Sequence, residues 1–362
     1  MPVTAATLQD SAQLRNDVGT EADGTTRDLT AAWVAAWALL TPPMLAAATS
    51  VAVTAVRAGR WPGRWELARI PGVQTVLAAA SDALDRLGLR TATSVKDAAA
   101  RAVEATVQGE ARLIASQLPA AQRADAAARV AGKIPPRAVD VMVARCGQQI
   151  ESAARPLSAQ AGEAMRRELV RGVALGDDPE TVAKAMVDRV QGAFEGGGLT
   201  RALIISRTEI LDSHRVAGQY VDMANADVLA GWRWSAKIDS RVCASCLSMD
   251  GSQHALSEAG PIDHQQGRCQ RVPTLKSWRE LGLGDDEPPD QFPDARAWFD
   301  AQSEEVQVGI LGAARLDLLR AGRITWDDLA TRRESSAWRP SYVPTPLRDL
   351  QRLANQRSRL AA

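Results

Sequence analysis

The spacing of apolar residues predicts a chain that is mainly helical. Alanine-rich runs between residues 29 and 135 favour helix by intrinsic propensity, and the proline pair at 135–136 ends this region. A further long helix is predicted from about residue 200 to 225, after the glycine triplet at 196–198. Residues 1–28 are mostly polar, so we expect them to form a flexible arm.

The period of the pattern changes to two between residues 228 and 237. Apolar side chains such as Trp232 and Trp234 alternate there with polar or small ones, which is typical of a strand with one buried face. A second strand is predicted from Cys269 to Pro273. The predicted fold class is therefore mainly α, with a helical N-terminal region followed by an α+β domain that contains a small antiparallel sheet.

Three of the four cysteines follow the first strand together with a histidine, in the pattern Cys243-x2-Cys246-x17-His264-x4-Cys269. Thiolates and imidazole are the ligands of structural Zn²⁺, and a Cys-x-x-Cys turn presents two thiolates to one ion. Four protein ligands leave no position for water, so the pattern predicts a structural zinc knuckle rather than a catalytic metal. His254 is an alternative ligand to His264, although it has no cysteine close after it. If no metal is bound, the spacing of these cysteines is either a coincidence or reflects a disulfide between two of them.

Two charged residues just before the first cysteine are candidates for supporting this site. Asp239 is expected to be a turn residue or the acceptor for the second N–H of the metal-bound histidine. Three thiolates around one Zn²⁺ carry a net negative charge, which Arg241 would offset.

Five regions are predicted along the chain. They are the arm at 1–28, a helical N-terminal region at 29–135, the α+β domain at 136–280 with the zinc knuckle at 228–273, an acidic linker with a helical extension at 281–330, and an arginine-rich tail at 331–362. Cys146 lies on a predicted apolar helix face, so it is interpreted as a core thiol rather than a metal ligand.

Charge and cysteine content exclude two classes of protein. Lys+Arg and Asp+Glu both number 43, so the chain is formally neutral and is not a general nucleic-acid coat. Four cysteines are too few for a disulfide scaffold. The tail at 331–362 holds seven arginines and two acids, a local charge of +5, so it is the segment expected to contact DNA or an acidic protein.

The stretch at 29–56 contains no charged residue and is long enough to cross a bilayer. Pro42 and Pro43 divide it into two shorter pieces, so we expect a buried helical hairpin or a partner-binding helix, and no membrane partner. No basic segment followed by an apolar core is found at the N-terminus, and a cytoplasm with reduced thiols is therefore expected.

The order of motifs resembles a known family. In chain order these are SRTEI at 206–210 with Arg207 and Glu209, the tryptophan strand, Asp239-x-Arg241 before the Cys-x-x-Cys turn, Asp250-Gly251, and then the last two predicted ligands. Over roughly 160–275 this order resembles the head-morphogenesis domain of phage Mu F-like minor head proteins.

The resemblance implies a minor capsid protein with a structural role in head morphogenesis, and a role in genome packaging or ejection would follow from it. Its implied partners are the portal protein, the major capsid protein, or both, with phage DNA as a further partner of the tail at 331–362. It implies a location in the virion, in the head interior or at the portal vertex, and in the host cytoplasm during assembly.

An enzyme is the alternative class. Glu209 would then be a general acid or base, whereas the structural interpretation has it fix its helix to the sheet. We expect no catalytic residue, because no phosphate loop or nucleophile arrangement is found. A zinc-stabilised nuclease, a head-maturation peptidase and a toxin-carrier domain remain the other functions to weigh.

Overall fold

In the computed structural model the described residues are 3–60, 62–67, 69–135, 198–335 and 338–361, with isolated positions between 137 and 188. Cys146 lies outside the described residues, so its interpretation as a core thiol stays a prediction. The chain divides into two compact units: the first comprises Met1–Gly19, Arg101–Met142 and Leu211–Ala362, and the second comprises Thr20–Ala100 and Val143–Ile210.

Helices form most of the described chain up to residue 224. They are α1 (Ala5–Ala58), α2 (Arg64–Leu67), α3 (Pro71–Ser116), α4 (Arg123–Gly132), which follows a 3-10 turn at Ala120–Gln122, and α5 (Gly198–Ala224). The mainly helical class is thus confirmed for the described residues. The units also differ from the predicted regions, because α1, α3 and α5 each contribute residues to both units.

The N-terminus is a helix rather than a flexible arm. Its buried positions recur at helical spacing, as in Val3, Thr7, Ser11, Leu14, Val18 and Ala22. The prediction for 1–28 was wrong because two of these positions are Thr and Ser, which conceal the stripe when they are counted as polar. Their hydroxyls are satisfied in the core: Thr7 Oγ1 accepts from Ser116 Oγ at 2.8 Å, and Ser11 accepts from Gln270.

The predicted hairpin at 29–56 is also a single helix, since α1 continues through Pro42 and Pro43. The stripe that α1 buries runs on both sides of the proline pair, through Leu29, Trp33, Leu40, Met44, Ala47 and Val51. Packing of this continuous face outweighs the backbone hydrogen bonds that prolines remove.

Among the described residues, α1 is also the helix that is long and apolar enough to cross a membrane by length and composition. Of the 18 residues that form its most apolar stretch, 33% are buried inside the chain. Core helices of soluble proteins have the same property, so this feature does not define a membrane protein.

A three-stranded antiparallel sheet follows α5. Its strands are β1 (Leu229–Ser235), β2 (Gln253–His254) and β3 (Gln270–Leu275), in the order β2-β1-β3. Trp232 of β1 pairs with Pro273 of β3, and the strand continues to Leu275 instead of stopping at the proline. Every residue of β3 is buried. The small antiparallel sheet is therefore confirmed.

The C-terminal region is folded throughout its described length. It contains α6 (Ala244–Met249) between β1 and β2, and then α7 (Ala295–Asp300), α8 (Glu304–Leu311), α9 (Ala313–Arg320), a 3-10 turn at Asp327–Leu329, the hairpin β4 (Ala330–Ser335) and β5 (Trp338–Pro344), and α10 (Leu347–Ala361). The helical extension expected within 281–330 thus contains three helices, α7, α8 and α9. Gly312 separates the last two at a φ of 77°, which other residues rarely adopt.

The arginine-rich tail joins the same core as the sheet. Leu350 and Ala354 of α10 are fully buried. Tyr342 of β5 donates its backbone N–H to the carbonyl of Ile262 at 2.8 Å, and its ring meets Trp234 edge-on with centroids 5.8 Å apart. An isolated two-stranded hairpin is marginal in water, so these contacts explain why the tail is ordered.

A buried ion pair joins α5 to β3. Arg271 Nε donates to Asp222 Oδ2 at 2.7 Å, and neither side chain is exposed. The guanidinium also donates to the carbonyl of Gly260 at 3.1 Å and lies over the ring of Trp232 at 4.6 Å. Removing either partner would leave the other charge buried without compensation, so loss of one partner alone is expected to destabilise the first unit.

Glu110 of α3 is a third ionisable group beside this pair. Its side chain is fully buried, and neither carboxyl oxygen has a hydrogen-bond partner among the described residues. Burial raises the pKa of Glu110 well above its ordinary value, and the neighbouring Asp222 raises it further, against the opposing effect of Arg271. Burial also raises the pKa of Asp222, to about 6. Of these two carboxyls, Glu110 is therefore the one whose surroundings most favour the protonated form.

These shifts predict a pH-dependent effect of Glu110→Gln. An acid with a raised pKa in the folded state loses stability as the pH rises above its unfolded pKa, which is about 4.3 for glutamate. In urea unfolding, we expect the free energy of unfolding of Glu110→Gln, relative to that of the unchanged protein, to increase by about 1–3 kcal/mol between pH 5 and pH 8. A decrease in this difference as the pH rises would contradict the prediction. Asp222→Asn, which leaves Arg271 unpaired, is the contrasting variant and should cost about 3–5 kcal/mol.

Candidate metal centre

The Cys-x-x-Cys turn forms directly after β1. Cys243 is the N-cap of α6, and its Sγ accepts from the backbone N–H of Cys246 at 3.4 Å. Asp239 stabilises the approach to the turn, since its Oδ1 accepts from the backbone N–H of Arg241 at 2.9 Å. This local geometry brings both thiol groups to the same side of the knuckle.

Potential metal donors collect in two overlapping groups. Cys243, Cys246 and His264 form one, and Cys246, Asp263 and Cys269 form the other; within each group the donor atoms lie within 4.8 Å of one another. The four residues predicted from sequence are thus brought to one place. Cys246 belongs to both groups, and Asp263 is an additional donor.

The distances suit a tetrahedral ion. Around zinc, a sulfur and a nitrogen ligand would be roughly 3.6 Å apart, given bond lengths of about 2.3 and 2.0–2.1 Å. His264 Nε2 lies 3.2 Å from Cys243 Sγ and 3.4 Å from Cys246 Sγ. Small shifts would therefore place these three atoms around one ion. The donor set is rich in sulfur and contains an imidazole, which fits zinc better than calcium or magnesium.

The charges of the cluster favour a cation. The contacts with Cys246 and, to a smaller extent, His264 lower the pKa of Cys243 to about 4, although burial opposes them. The same network raises the pKa of Cys246, chiefly through its contacts with Cys243 and Cys269. Burial works against the proton on His264, but the contacts with Cys243 and Asp263 outweigh it and raise the pKa to about 9. A metal ion would displace these protons and neutralise the thiolates.

Asp263 was not predicted from the sequence. Its side chain is 1% exposed, and Oδ1 lies 3.3 Å from Cys246 Sγ. Burial alone would raise its pKa, yet the charge of Arg215 helps to hold it below the ordinary value. The residue precedes a predicted ligand directly, and that adjacency was the available signal.

Asp239 has a different role from the one expected as a histidine partner. It forms a two-pronged ion pair with Arg268, at 2.6 and 2.7 Å. His264 instead has its Nδ1 2.8 Å from the carbonyl of Gln265. Arg241 is exposed and contributes its backbone N–H to Asp239.

The other predicted site residues stabilise neighbouring structure. Asp250 Oδ1 accepts from the backbone N–H of Ala236 at 2.7 Å, and burial raises the pKa of this carboxyl to about 7. The N–H of Gly251 donates to the carbonyl of Trp234 at 2.8 Å. Both bonds fix the connection between α6 and the sheet.

Arg207 and Glu209 belong to the second unit, whereas the donor cluster lies in the first. Arg207 forms an ion pair with Asp23. Glu209 is buried.

His254 is not part of either donor group. Its ring stacks on Trp232 with centroids 4.2 Å apart, and Nδ1 lies 2.9 Å from Glu258 Oε1. Of the two histidines considered as ligands, His264 is therefore the one that meets the thiols.

These features define a mainly helical protein in which a small antiparallel sheet carries a Cys/His cluster able to hold a metal ion. A family model described as Phage Mu protein F like protein matches residues 163–271, which include all four predicted ligands. This match confirms the resemblance over that segment, which is similar to the phage Mu F-like family. The family suggests a phage head morphogenesis protein and implies an association with the virion. No curated protein and no solved structure matches the chain.

The overlap of the two donor groups predicts which cysteine matters most. Cys246→Ser should reduce the metal content from about one ion per chain to near zero, because that thiol is shared by both groups. Elemental analysis after purification under reducing, metal-replete conditions measures this. His254→Gln is the matched control and should retain the metal. A full complement of metal in Cys246→Ser would contradict the placement of the centre.

Proposed function

We propose that this protein is a phage or prophage minor head protein that acts in head assembly. The match of residues 163–271 to the Mu F-like family carries the proposal, and the cluster of candidate ligands inside that segment supports it. The role is structural and interactive rather than catalytic. With four protein ligands, the metal would have no open position for a substrate or for water.

The proposed metal is a structural Zn²⁺ held by Cys243, Cys246, His264 and Cys269. The sheet around it is small, since its strands contain seven, two and six residues. Such a sheet has too few backbone bonds for independent stability, whereas a structural zinc site supplies on the order of 10 kcal/mol of folding free energy. The metal would fix the two ends of the segment that connects β1 to β3.

The C-terminal region packs on the segment that the metal would hold. Ser248 of α6 donates its hydroxyl to the carbonyl of Trp326 at 2.9 Å. Tyr342 of β5 donates to Ile262, two residues before His264. Metal binding would therefore order the hairpin and α10 as well as the sheet, and would present them as one surface for assembly.

The exposed apolar residues of the second unit are the proposed contact with the portal or the major capsid protein. Val34, Leu39 and Val56 of α1 are exposed, with Leu39 at 78% and Val56 at 82%. Large exposed apolar side chains of this kind, spread along one helix, are typical of a surface that a partner covers. A proteinaceous partner at the portal vertex or head interior is proposed rather than a membrane.

Exposed arginines of α10 are the proposed contact with phage DNA. Arg348, Arg352 and Arg359 lie on exposed positions, with Arg348 at 83% of its side chain. Other tail arginines are engaged within the protein, since Arg339 pairs with Asp212 at 2.6 Å and Arg357 pairs with Asp328. Arg348 and Arg352 also pair with Asp349 at the surface of α10, and Arg332 and Arg333 of β4 are exposed. The basic surface of the tail therefore comprises α10 and part of β4, and α10 is its helical part.

Head incorporation tests both the function and the apolar contact. The unchanged protein should be found in purified heads of the phage that encodes it. Replacing Val34, Leu39 and Val56 together by glutamine should reduce its amount there by about tenfold, if roughly 1.4 kcal/mol of binding is lost. Leu360→Gln, at an equally exposed apolar residue elsewhere, is the control. Absence of the unchanged protein from heads would refute the proposed function, and normal incorporation of the triple variant would refute the contact.

Salt dependence tests the DNA contact. Each phosphate contact adds about 0.9 to the slope of log affinity against log salt. Replacing Arg348, Arg352 and Arg359 by glutamine should therefore weaken binding to duplex DNA and lower that slope by up to about 3. Replacing Arg279, Arg296 and Arg320 changes the net charge equally and should leave the slope nearly unchanged. Equal slopes for the two triple variants would contradict a DNA contact through α10.

A further inference from the structure

We propose that Arg215 and Asp263 form a clamp that holds His264 and Cys269 at metal-binding spacing. Neither residue is one of the predicted metal ligands, and the clamp residues act by positioning. The inference rests on the metal centre proposed above. It concerns the loop from 263 to 269, which must fold back on itself for both ligands to meet the Cys-x-x-Cys turn.

The carboxylate of Asp263 lies at the centre of this loop. Its Oδ1 accepts from the backbone N–H of His264 at 2.8 Å, and its Oδ2 accepts from the backbone N–H of Cys269 at 3.1 Å. One buried side chain thus bonds the main chain of both ligands. Because the backbone N–H groups of His264 and Cys269 bond the two oxygens of one carboxylate, that carboxylate holds the two residues close together.

Arg215 of α5 completes the clamp from the opposite side. Its Nη2 donates to Asp263 Oδ2 at 3.2 Å and to the carbonyl of Gly267 at 2.7 Å. Its Nε donates to the carbonyl of Cys269 at 3.0 Å. The planar guanidinium therefore bonds three points of one loop, a geometry that a lysine ammonium cannot reproduce.

The loop is shaped to fit around the carboxylate. A Cβ at Gly267 would lie 2.0 Å from Asp263 Oδ2, so no side chain fits at this position. Gln266 before it has a φ of 59°, in the left-handed region. These two residues allow the chain to turn closely around Asp263, and they account for the four-residue interval between His264 and Cys269.

Burial makes the clamp specific. The side chains of Arg215 and Asp263 are 5% and 1% exposed, so each charge depends on the other for compensation. A second ion pair at the same knuckle, Arg268 with Asp239, is more exposed at 18% and 31%. That pair bonds neither ligand through its side chains in the described contacts, which makes it a matched control.

Asp263 Oδ1 also lies near enough to the thiols to be a ligand itself, at 3.3 Å from Cys246 Sγ. Positioning and ligation predict different spectra. Cobalt(II) in place of the proposed metal reports its ligands through d–d and sulfur charge-transfer bands. A positioning residue changes the rate of metal loss and leaves those bands in place.

The test uses the full chain loaded with Co²⁺, and follows metal loss to excess chelator. Arg215→Lys and Asp263→Asn should lose the ion about ten- to hundredfold faster than the unchanged protein, as is typical for residues that orient metal ligands. The cobalt spectrum should keep its sulfur bands in both variants. Arg268→Lys leaves the bond from the Arg241 N–H to Asp239 in place and should stay within about twofold of the unchanged rate. Gly267→Ala disturbs the same clamp with both charges in place and should also accelerate loss.

Three results would overturn the clamp. The first is a rate of metal loss within about twofold of the unchanged protein in all three of Arg215→Lys, Asp263→Asn and Gly267→Ala. The second is an altered ligand spectrum in Asp263→Asn, which would make Asp263 a ligand. The third is a control variant, Arg268→Lys, that loses metal as fast as the clamp variants. If the unchanged protein binds no Co²⁺, the metal centre and the clamp fail together. If it binds Co²⁺ and the variants lose it at the unchanged rate, the clamp fails alone.

Discussion

The first unit depends on bringing the start of α6 and the loop before β3 together. Cys243 and Cys246 lie at one end of this connection, and His264 and Cys269 lie at the other. Between them runs a segment with one two-residue strand, so backbone pairing alone holds it weakly. Thiol and imidazole groups collected at one point provide the missing constraint when a metal binds them. Even without regular structure, the segment then has two fixed ends.

Other elements of the first unit use this constraint. The hairpin of β4 and β5 bonds the chain just before His264, and α6 bonds the turn that precedes β4. On the other side of β3, the pair of Arg271 and Asp222 joins the sheet to α5. The sheet therefore connects the helices on one side with the C-terminal region on the other. We therefore expect a change at the metal centre to alter the stability of both α5 and the C-terminal region.

Sequence reasoning located the elements whose signals are local. The Cys-x-x-Cys turn and the alternation at Trp232 and Trp234 each depend on neighbours within a few residues, and both were found. The buried polar partners were missed because they are distant in sequence: Arg215 and Asp263 are 48 residues apart, and Glu110 is further still from the pair it joins. No local pattern marks a lone arginine in a helix as the partner of a loop. The helix at the N-terminus was missed because Thr7 and Ser11 occupy buried positions that their polarity conceals.

X-ray absorption at the metal edge of the purified full-length protein is the most direct measurement of the central claim. A closed structural centre predicts a first shell of about three sulfur atoms near 2.3 Å and one nitrogen near 2.0–2.1 Å, with no exchangeable water. A first shell of oxygen and nitrogen alone, or one that contains bound water, would contradict it. In that case the cysteines would be core thiols, and another interaction would have to hold the segment between β1 and β3.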